Sequence, residues 1–427
     1  TFEEMFDGIN GIVEEPTIIS ARNVLIGRSE TVANRFNTLF EEVGLQHLGA
    51  INEEIQTSVL EINSMTEEIA FLNTKIQVEN AVGSQGFPPN DLLDKRDLLL
   101  KRLSEKIQVK TIELQDGTMN VTVGQGITLV TGGISIPLSA ERNEFDSNMM
   151  EIGISANSTT ENKSIITNQL DGGSLTGLFD TRDNMILPAI QELGKLAIAI
   201  ADSFNRQQSL GLDLNGDAGQ NIFRDINDPQ DVLARALNSS NNTNKTNFEL
   251  YIRNTEQLTS QEFDMEYDGT NLDIYDDAGN LVQQFDPADI AAMSAGTQLI
   301  IGDTGLAMAI DVNQLSAGDE FRLRPTYYGA NQIESIIDDP EKIAAAGNPL
   351  DIAEVNNPNN VKFNLYEITG NSSVAPGPLP DDSISIEIDA TGTTYQVLDS
   401  GGAVISGPSA IPADQIIDDP ITGIRFE

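Results

Sequence analysis

The sequence contains no cysteine and no tryptophan, and it has one histidine, His47. Without cysteine the chain can form no disulfide, no thiolate metal site and no cysteine nucleophile. A serine–histidine–aspartate triad would have to use His47, and a lone histidine in a helical stretch is more often a structural or surface residue than a base. No phosphate-binding loop, dinucleotide fingerprint or nucleophile elbow is present either. We therefore expect no catalytic residue, no cofactor and no metal.

The sequence also lacks a long apolar run and a recognisable leader. Its longest apolar runs, such as residues 196–201, are far too short to cross a bilayer. The chain starts at Thr1, and no basic segment followed by an apolar one is visible as a secretory signal. The protein is expected to be cytoplasmic, exported by a route without such a leader, or trimmed at its ends.

Basic residues are scarce, with 24 Lys and Arg against 66 Asp and Glu, for a net charge of −42. This balance disfavours nucleic acid as a partner, because phosphates need a basic surface. It disfavours an anionic membrane for the same reason. The 427 residues suffice for about two to four domains.

Residues 51–80 form the longest amphipathic stretch. Apolar residues recur there every three or four positions, which is typical of a helix with one packed side. Glu, Ser, Thr, Asn and Gln lie between them, and no Gly or Pro interrupts the pattern. The stretch predicts a rod with a solvated outer face and partners along one side. Its apolar positions are Ile51, Ile55, Val59, Ile62, Met65, Ile69, Leu72 and Ile76.

Residues 1–43 predict helix before the rod. A short helix is expected to break near Gly8 and Gly11 and to restart after Pro16. A helical pattern then runs from Val24, and we expect it to continue or bend into the rod despite Gly44.

A leucine-rich helix is predicted after the rod, with Asn90 as its N-cap. It carries the only dense basic group of the sequence. One interpretation of this group is an anion site. The favoured interpretation is ion pairing with the acidic face of the rod, packed antiparallel beside it. The basic residues are Lys95, Arg96, Lys101, Arg102 and Lys106.

The apolar periodicity changes to two after this helix. Asp116-Gly117 stands between two alternating segments, which is a strong hairpin signal. Further strands are expected through about residue 166. A second long helix follows at residues 175–211, kinked or started at Pro188, and its apolar repeat makes it a predicted packing partner of the rod.

Residues 211–223 resemble the start of a calcium loop. Asp213, Asn215 and Asp217 alternate as ligands would, but Ala218 and Arg224 replace the required Gly and bidentate Glu. We therefore interpret the run as a structural turn rich in Asp and Asn, and not as a metal site. A short helix at 228–240 and a linker at 238–247 are predicted next.

The remaining sequence predicts strands and contains an internal repeat. FELYI (248–252) recurs as FNLYEI (363–368), residues 266–282 recur at 387–405, and PADI (287–290) recurs in PADQI (412–416). An insertion near 375–382 accounts for the change in offset. The second copy is expected to stop near the equivalent of residues 296–302, inside its module.

These patterns predict an α+β multidomain protein: a long-helix bundle carrying a small antiparallel sheet or hairpin, followed by two similar all-β modules. The predicted domains are a helical bundle at 1–243 with its β-hairpin region at about 107–166, a first β module at 244–346, and a second, truncated β module at 347–427.

Several segments resemble, in the same order, the family of bacterial flagellar hook-associated protein 1. They are VANRFNTL (32–39), PPNDLLDKRD (88–97), DGTMNVTVGQGITLV (116–130), the run at 175–223, AGDEFRLRPT (317–326) and DDPEKIAAA (338–346). The resemblance implies a structural, non-enzymatic subunit that joins the flagellar hook to the filament. It also implies export through the flagellar secretion channel without a cleaved leader, and hence an extracellular location.

The partners that the resemblance implies are copies of the chain itself in a ring-like assembly, the hook protein, the second hook-associated junction protein, and an export chaperone that binds a C-terminal segment absent from this sequence. Two alternatives stay open. One is a sibling axial protein, either the second junction protein or a flagellin-like subunit. The other is a secreted glycan-binding or hydrolytic protein that uses the β modules.

Overall fold

The computed structural model describes residues 2–82, 89–155, 163–294, 297–347, 365–368, 385–388, 393–398, 404–411, 417–419 and 424–426. Long helices and many antiparallel sheets make up these residues, which confirms the predicted α+β class. The helices are α1 (Phe2–Glu14), α2 (Ile19–Leu39), α3 (His47–Val82), α4 (Asn90–Lys106), α5 (Gly173–Thr181), α6 (Leu187–Ser209), α7 (Pro229–Ala234), α8 (Pro287–Ser294) and α9 (Gly329–Gln332).

The strands of the described residues are short and pair antiparallel. In chain order they are β1 (Val109–Glu113), β2 (Met119–Val123), β3 (Ile127–Thr131), β4 (Ile134–Ser135), β5 (Leu138–Arg142), β6 (Met150–Ser155), β7 (Lys163–Ile165), β8 (Gly211–Leu212), β9 (Ala236–Asn238), β10 (Phe248–Ile252), β11 (Phe263–Tyr267), β12 (Leu272–Asp276), β13 (Leu281–Phe285), β14 (Leu299–Ile301), β15 (Leu306–Ile310), β16 (Asp319–Leu323), β17 (Ala346–Gly347), β18 (Leu365–Ile368), β19 (Ser385–Ile388), β20 (Thr394–Leu398), β21 (Val404–Ala410), β22 (Ile417–Asp419) and β23 (Ile424–Phe426).

Contacts divide the chain into two compact units: residues 1–40 together with 190–427, and residues 41–189. The sequence predicts domain boundaries after residues 243 and 346 instead. The division by contacts does not test these boundaries, so they stay a prediction. Both chain crossings between the units lie in helix. One is at the start of a π-helical segment, Phe40–Gln46, and the other follows the π-helical segment Arg182–Ile186. No linker composition marks either crossing, so the sequence gives no signal for them.

In the unit of residues 41–189, α3 is the predicted rod. It has 36 residues, a length of about 54 Å. Seven of the eight predicted apolar positions are buried, and Met65 is half-buried. The helix runs on from α2 through Phe40–Gln46, so the predicted continuity across Gly44 is confirmed.

The hairpin predicted at Asp116-Gly117 is formed by β1 and β2, with Glu113 opposite Met119. Gly117 has a φ of 84°, which suits glycine at this turn. β1 to β4 form one sheet in sequential order, and β5 to β7 form a second. Helix α3 packs against β3 and β4 of the first sheet and against β5 of the second.

The predicted helix at 175–211 is α5, the π-helical segment Arg182–Ile186 and α6 in direct succession. Pro188 has no N–H to bond to the preceding turn, and the wide π turn stands just before it. α5 and the π-helical segment contact α3, as predicted. From Ile190 onward α6 belongs to the other unit, so packing of that part on the rod stays a prediction.

In the unit containing residues 1–40, α1 packs on α2. The predicted break at Gly8 and Gly11 is wrong, because α1 continues to Glu14. Gly8 is buried, and a Cβ built on it would lie 3.4 Å from Cα of Leu25. The glycine therefore permits a close approach of two helix backbones.

Two sheets of this unit share one apolar core. One has the order β13-β12-β11-β16-β9 and the other β10-β15-β14. Their alternate residues face inward, as expected for strands with one buried face, and Ile198 of α6 joins the cluster. Inward residues include Phe248, Leu250, Met265, Ile274 and Phe321.

The helix predicted at 228–240 and the linker predicted at 238–247 are both wrong in extent. α7 ends at Ala234, and residues 236–238 form β9 at the edge of the five-stranded sheet. The asparagine-rich segment that follows is fastened to the fold. The amide of Asn242 donates to the carbonyl of Glu320 at 2.8 Å and accepts from its N–H at 2.9 Å.

The internal repeat appears as repeated strand topology. The meander β11-β12-β13 recurs as β19-β20-β21, and the sheet β10-β15-β14 recurs as β18-β23-β22. This pairing makes β23 the equivalent of β15, so the second copy extends one strand further than predicted. The proposed insertion at 375–382 and the PADQI segment lie outside the described residues.

Candidate functional site

Ionisable side chains of the kinds used in catalysis or metal binding are dispersed over the described parts of the fold. Among the described residues, no group of three or more His, Asp or Glu side chains is arranged to hold a metal ion. His47 is exposed at the start of α3, where its Nδ1 contacts the carbonyl oxygen of Glu42. This position fits the structural or surface role that the sequence favours.

A small cavity of about 20 Å³ lies beside α6, α7 and α9. Arg224 and Asp231 form an ion pair at its wall, and burial raises the pKa of Asp231 despite that partner. Burial lowers the pKa of the neighbouring Arg235 to about 10. A space of this size suffices for about one water molecule, so it is no substrate pocket.

The calcium-like run forms a closed turn. Oδ1 of Asp213 accepts hydrogen bonds from the backbone N–H groups of Asn215 (2.7 Å) and Asp217 (3.0 Å). Nζ of Lys342 lies 3.4 Å from Oδ2 of Asp213 and 3.7 Å from Oδ2 of Asp217. An ammonium group thus stands beside the two carboxylates. The geometry is that of a turn stabilised by aspartate, and the interpretation that it is no metal site stays a prediction.

Electrostatics at this turn favour the ionised carboxylate. Burial raises the pKa of Asp213, but the N–H groups of Asp217 and Asn215 and the ammonium of Lys342 outweigh it, and the pKa lies below its ordinary value. Hydrogen bonding to Asp213 correspondingly raises the pKa of Lys342.

The basic group on α4 is divided between two roles. Lys106 pairs with Glu61 of α3 at 2.6 Å, as the favoured interpretation predicts. Arg96 is buried, and its Nη1 donates to Oδ1 of Asn73 and to the carbonyl of Gly117. These contacts confirm that α4 runs antiparallel to α3.

The remaining three basic residues, Lys95, Lys101 and Arg102, are exposed. None of them has an ion-pair partner within the described ranges. The predicted ion pairing with the acidic face of the rod is therefore wrong for these three, and also for Arg96, whose ion pair is with Glu113 of β1. The N-cap prediction is also wrong, because Pro89 occupies the cap position and Asn90 is the first helical residue.

Two exposed apolar surfaces are absent from the sequence-based predictions. On α1, Met5, Gly8 and Ile12 face α2, whereas Phe6 and Val13, one heptad apart, are 56% and 73% exposed. In the sequence, the heptad spacing of Phe6 and Val13 is the signal that indicates this surface.

The second surface is on the rod. Leu60, Phe71 and Val78 are 70%, 51% and 53% exposed. Because the spacings of 11 and 7 residues correspond to nearly whole helical turns, the three lie on one line, here named the outer line. The rod's outer face is thus not uniformly polar.

Within the part of the chain that the structure describes, one helical stretch, Gly173–Ser209, is long and apolar enough by composition to cross a membrane, and the core helices of soluble proteins satisfy the same criterion. Ile190, Ala197, Ile198 and Ala201 of this stretch are buried, and Ile198 lies in the core of the two sheets. The packing favours a core helix.

Comparison with known proteins identifies related chains. The family model for the helical domain of flagellar hook-associated protein FlgK matches residues 1–223. Flagellar hook-associated protein 1 of Escherichia coli K12 is 28% identical over 375 residues, which are 88% of this chain and 65% of the relative. The Salmonella typhimurium LT2 protein of that name is 30% identical over 281 residues, covering 66% and 49%.

A solved structure has the same fold. The flagellar hook junction protein FlgK from Burkholderia pseudomallei superimposes with a TM-score of 0.70 at 22% identity, covering 96% of this chain and 73% of that one. The chain spans about two thirds of the Escherichia coli relative's length and half of the Salmonella relative's.

Proposed function

The chain belongs to the family of flagellar hook-associated protein FlgK, and from that premise we propose that it is a structural subunit joining the hook to the filament of a bacterial flagellum. The match of the FlgK helical-domain model to residues 1–223 carries this proposal. Those residues contain the rod α3, α4 and the small sheets, so the match rests on a large part of the fold.

We propose further that the subunit is exported through the flagellar secretion channel without a cleaved leader and functions outside the cell. Its proposed partners are copies of itself in a ring-like assembly, the hook protein, the second hook-associated junction protein, and an export chaperone. The exposed Phe6 and Val13 on α1 support a role in assembly, because two large apolar side chains one heptad apart lie on the same side of the helix and are open to a partner.

We also propose that the protein has no enzymatic activity. The related chains are named flagellar hook-associated proteins, and a hook-associated role supports this.

The second candidate is a sibling axial protein. The curated relatives all carry the name flagellar hook-associated protein 1, which favours the junction role over this alternative. A role of the β modules in glycan binding or hydrolysis is the third candidate, and a screen of the purified chain against a glycan panel would test it.

Deletion of the full-length gene tests the proposed function. We expect cells with hooks but without attached filaments, and filament protein accumulating in the culture medium. A plasmid copy of the gene should restore filaments. Normal filaments in the deletion strain would contradict the junction role, and unaided polymerisation of the purified full-length chain into long filaments would favour the sibling axial protein.

A further inference from the structure

We propose that the outer line of α3 binds the exposed face of α4 in a second copy of the chain. The inference rests on the proposed function, in which several copies assemble, and it names the surface through which neighbouring copies meet. The α4 face is centred on Leu98, which is 51% exposed.

Around Phe71 and Leu98 the two surfaces point away from each other in one molecule, whereas Lys75 and Val78 near the end of α3 line an open groove together with Lys95 of α4. Glu61, which pairs with Lys106, and Asn73, which accepts from Arg96, lie about 120° apart around α3, and the middle of the side that faces α4 is between them. At about 100° per residue, Phe71 lies roughly 140° around the helix from that side. On α4, the side that faces α3 is centred between Arg96 and Lys106, and Leu98 lies roughly 120° around the helix from it. Each molecule therefore presents an α3 surface on one side and an α4 surface on the other.

The charges on the two surfaces match in spacing. On α3, the adjacent carboxylates Glu67 and Glu68 precede Phe71 by four and three residues. On α4, the adjacent cations Lys101 and Arg102 follow Leu98 by three and four residues. When the helices run antiparallel with Phe71 against Leu98, the two acidic side chains come beside the two basic ones.

A further pair extends the match. Lys75 follows Phe71 by four residues, and its Nζ lies 4.3 Å from the centre of the Phe71 ring. Asp94 precedes Leu98 by four residues, so the same alignment sets Lys75 beside Asp94 of the neighbour. One register thus satisfies an apolar contact and charges of both signs.

None of the four charged residues nearest this contact, Glu67, Glu68, Lys101 and Arg102, forms an ion pair in the part of the chain that the structure describes. A single exposed leucine is ordinary on a protein surface. What singles out these surfaces is that exposed apolar residues and unpaired charges of opposite sign recur at mirrored spacing on two helices. In a chain of net charge −42, a pair of free cations beside an apolar residue fits an acidic partner, and a second copy supplies one.

A contact between two different surfaces of identical subunits is heterologous, and it extends to a ring or a helical array. The proposed contact therefore suits a subunit present in several copies better than it suits an isolated dimer.

Charge reversal with rescue tests the contact in the full-length protein, expressed in the deletion strain. We expect K101E/R102E to reduce the fraction of hooks bearing filaments on the order of tenfold, because two attractive pairs become repulsive. Adding E67K/E68R should restore filaments. The matched control is E53K/E54K, which alters two exposed carboxylates of α3 that the neighbour's α4 does not reach in this alignment. This control variant should assemble normally.

Disulfide trapping gives a second measurement, because residues 1–427 contain no cysteine that competes with the introduced pair. In isolated hook–filament particles, F71C/L98C should yield a ladder of cross-linked chains on oxidation, whereas L60C/L98C should not. Normal assembly of K101E/R102E, or a failed rescue together with no ladder, would overturn the proposal. Cross-linking to a different axial protein would overturn the choice of a second copy as partner.

The two proposals fail in distinguishable ways. If the deletion strain makes normal filaments, the junction role fails. If the deletion strain lacks filaments while both charge variants assemble normally and no ladder forms, only the surface proposed here fails.

Discussion

The side chain of Asn73 on the rod satisfies both backbone polar groups of Met119 on β2. Its Nδ2 donates to the Met119 carbonyl at 2.7 Å, and its Oδ1 accepts from the Met119 N–H at 3.1 Å. Nδ2 also donates to the carbonyl of Gly132. The amide of Asn73 thus forms the pair of backbone hydrogen bonds that a residue of a neighbouring strand forms in a sheet.

The same arrangement recurs along the rod. Asn63 pairs with the N–H and the carbonyl of Leu138 on β5, and Asn52 accepts from the N–H of Met150 on β6 while donating to the carbonyl of Asn148. Three asparagines thus fasten three strands to one helix. They hold the small sheets by hydrogen bonds as well as by apolar packing.

Replacement of Asn73 by Leu should destabilise the protein strongly. The substitution keeps the branching of the side chain but leaves the Met119 and Gly132 groups and Nη1 of Arg96 without this partner in a buried site, at a cost of about 3 kcal/mol or more. Urea denaturation followed by circular dichroism would measure the loss. Gln56→Leu, at an exposed position of the same helix, should change the free energy of unfolding by less than about 0.5 kcal/mol. Equal effects of the two substitutions would contradict this account.

Arg22 holds the segment after α9 to α2. Its fully buried guanidinium donates to the carbonyls of Pro16, Pro340 and Ile343. Arg22→Met should cost about 2–4 kcal/mol in thermal or urea unfolding, because three carbonyls lose a charged donor. Arg28→Met is the control. Its ion pair with Glu4 is exposed, and its loss should cost less than about 1 kcal/mol.

Two helical glycines should respond to alanine in opposite directions. A Cβ on Gly194 of α6 would lie 1.8 Å from the backbone oxygen of Thr326, so Gly194→Ala forces the backbone apart and should cost about 1–3 kcal/mol. Gly27 of α2 has no atom within 4 Å of such a Cβ. Gly27→Ala should stabilise by about 0.5–1 kcal/mol through helix propensity. A melting temperature that rises in both variants would refute the close approach at Gly194.

The features that the sequence predicted well are those with a local period. The rod, the hairpin at Asp116-Gly117 and the repeated meanders each follow from a spacing of apolar residues or a turn dipeptide. The sequence pattern places the rod's asparagines on its solvated face, because an amide that bonds to a distant strand has the same local pattern as one that bonds to water.

The sequence-based predictions fail where a distant partner decides the structure. The segment after β9 has the composition of a linker, but Asn242 binds β16, which is far along the chain. The basic group of α4 looked like one cluster, yet helix geometry buries Arg96, pairs Lys106 and leaves Lys101 exposed. A helical projection of the sequence aligns the three residues of the outer line on α3. Their exposure depends on which other elements pack against the helix, and a single sequence does not contain that information.

The turn at Asp213 should make the stability of the fold depend on pH. Burial raises the pKa of this carboxyl, and the N–H groups of Asp217 and Asn215 with the Lys342 ammonium lower it further than burial raises it. Because the pKa is lower in the folded than in the unfolded chain, ionised Asp213 contributes stability above its unfolded pKa of about 4, and that contribution is lost as the pH falls through the folded value. Asp213→Asn should therefore destabilise the protein at about pH 7 and have a smaller effect at about pH 3. The measurement is the difference in free energy of unfolding between wild type and variant at the two pH values, with Asp97→Asn, at an exposed position of α4, as the control for general charge effects. A difference that stays constant or grows on acidification would show that the ionised carboxylate does not hold this turn.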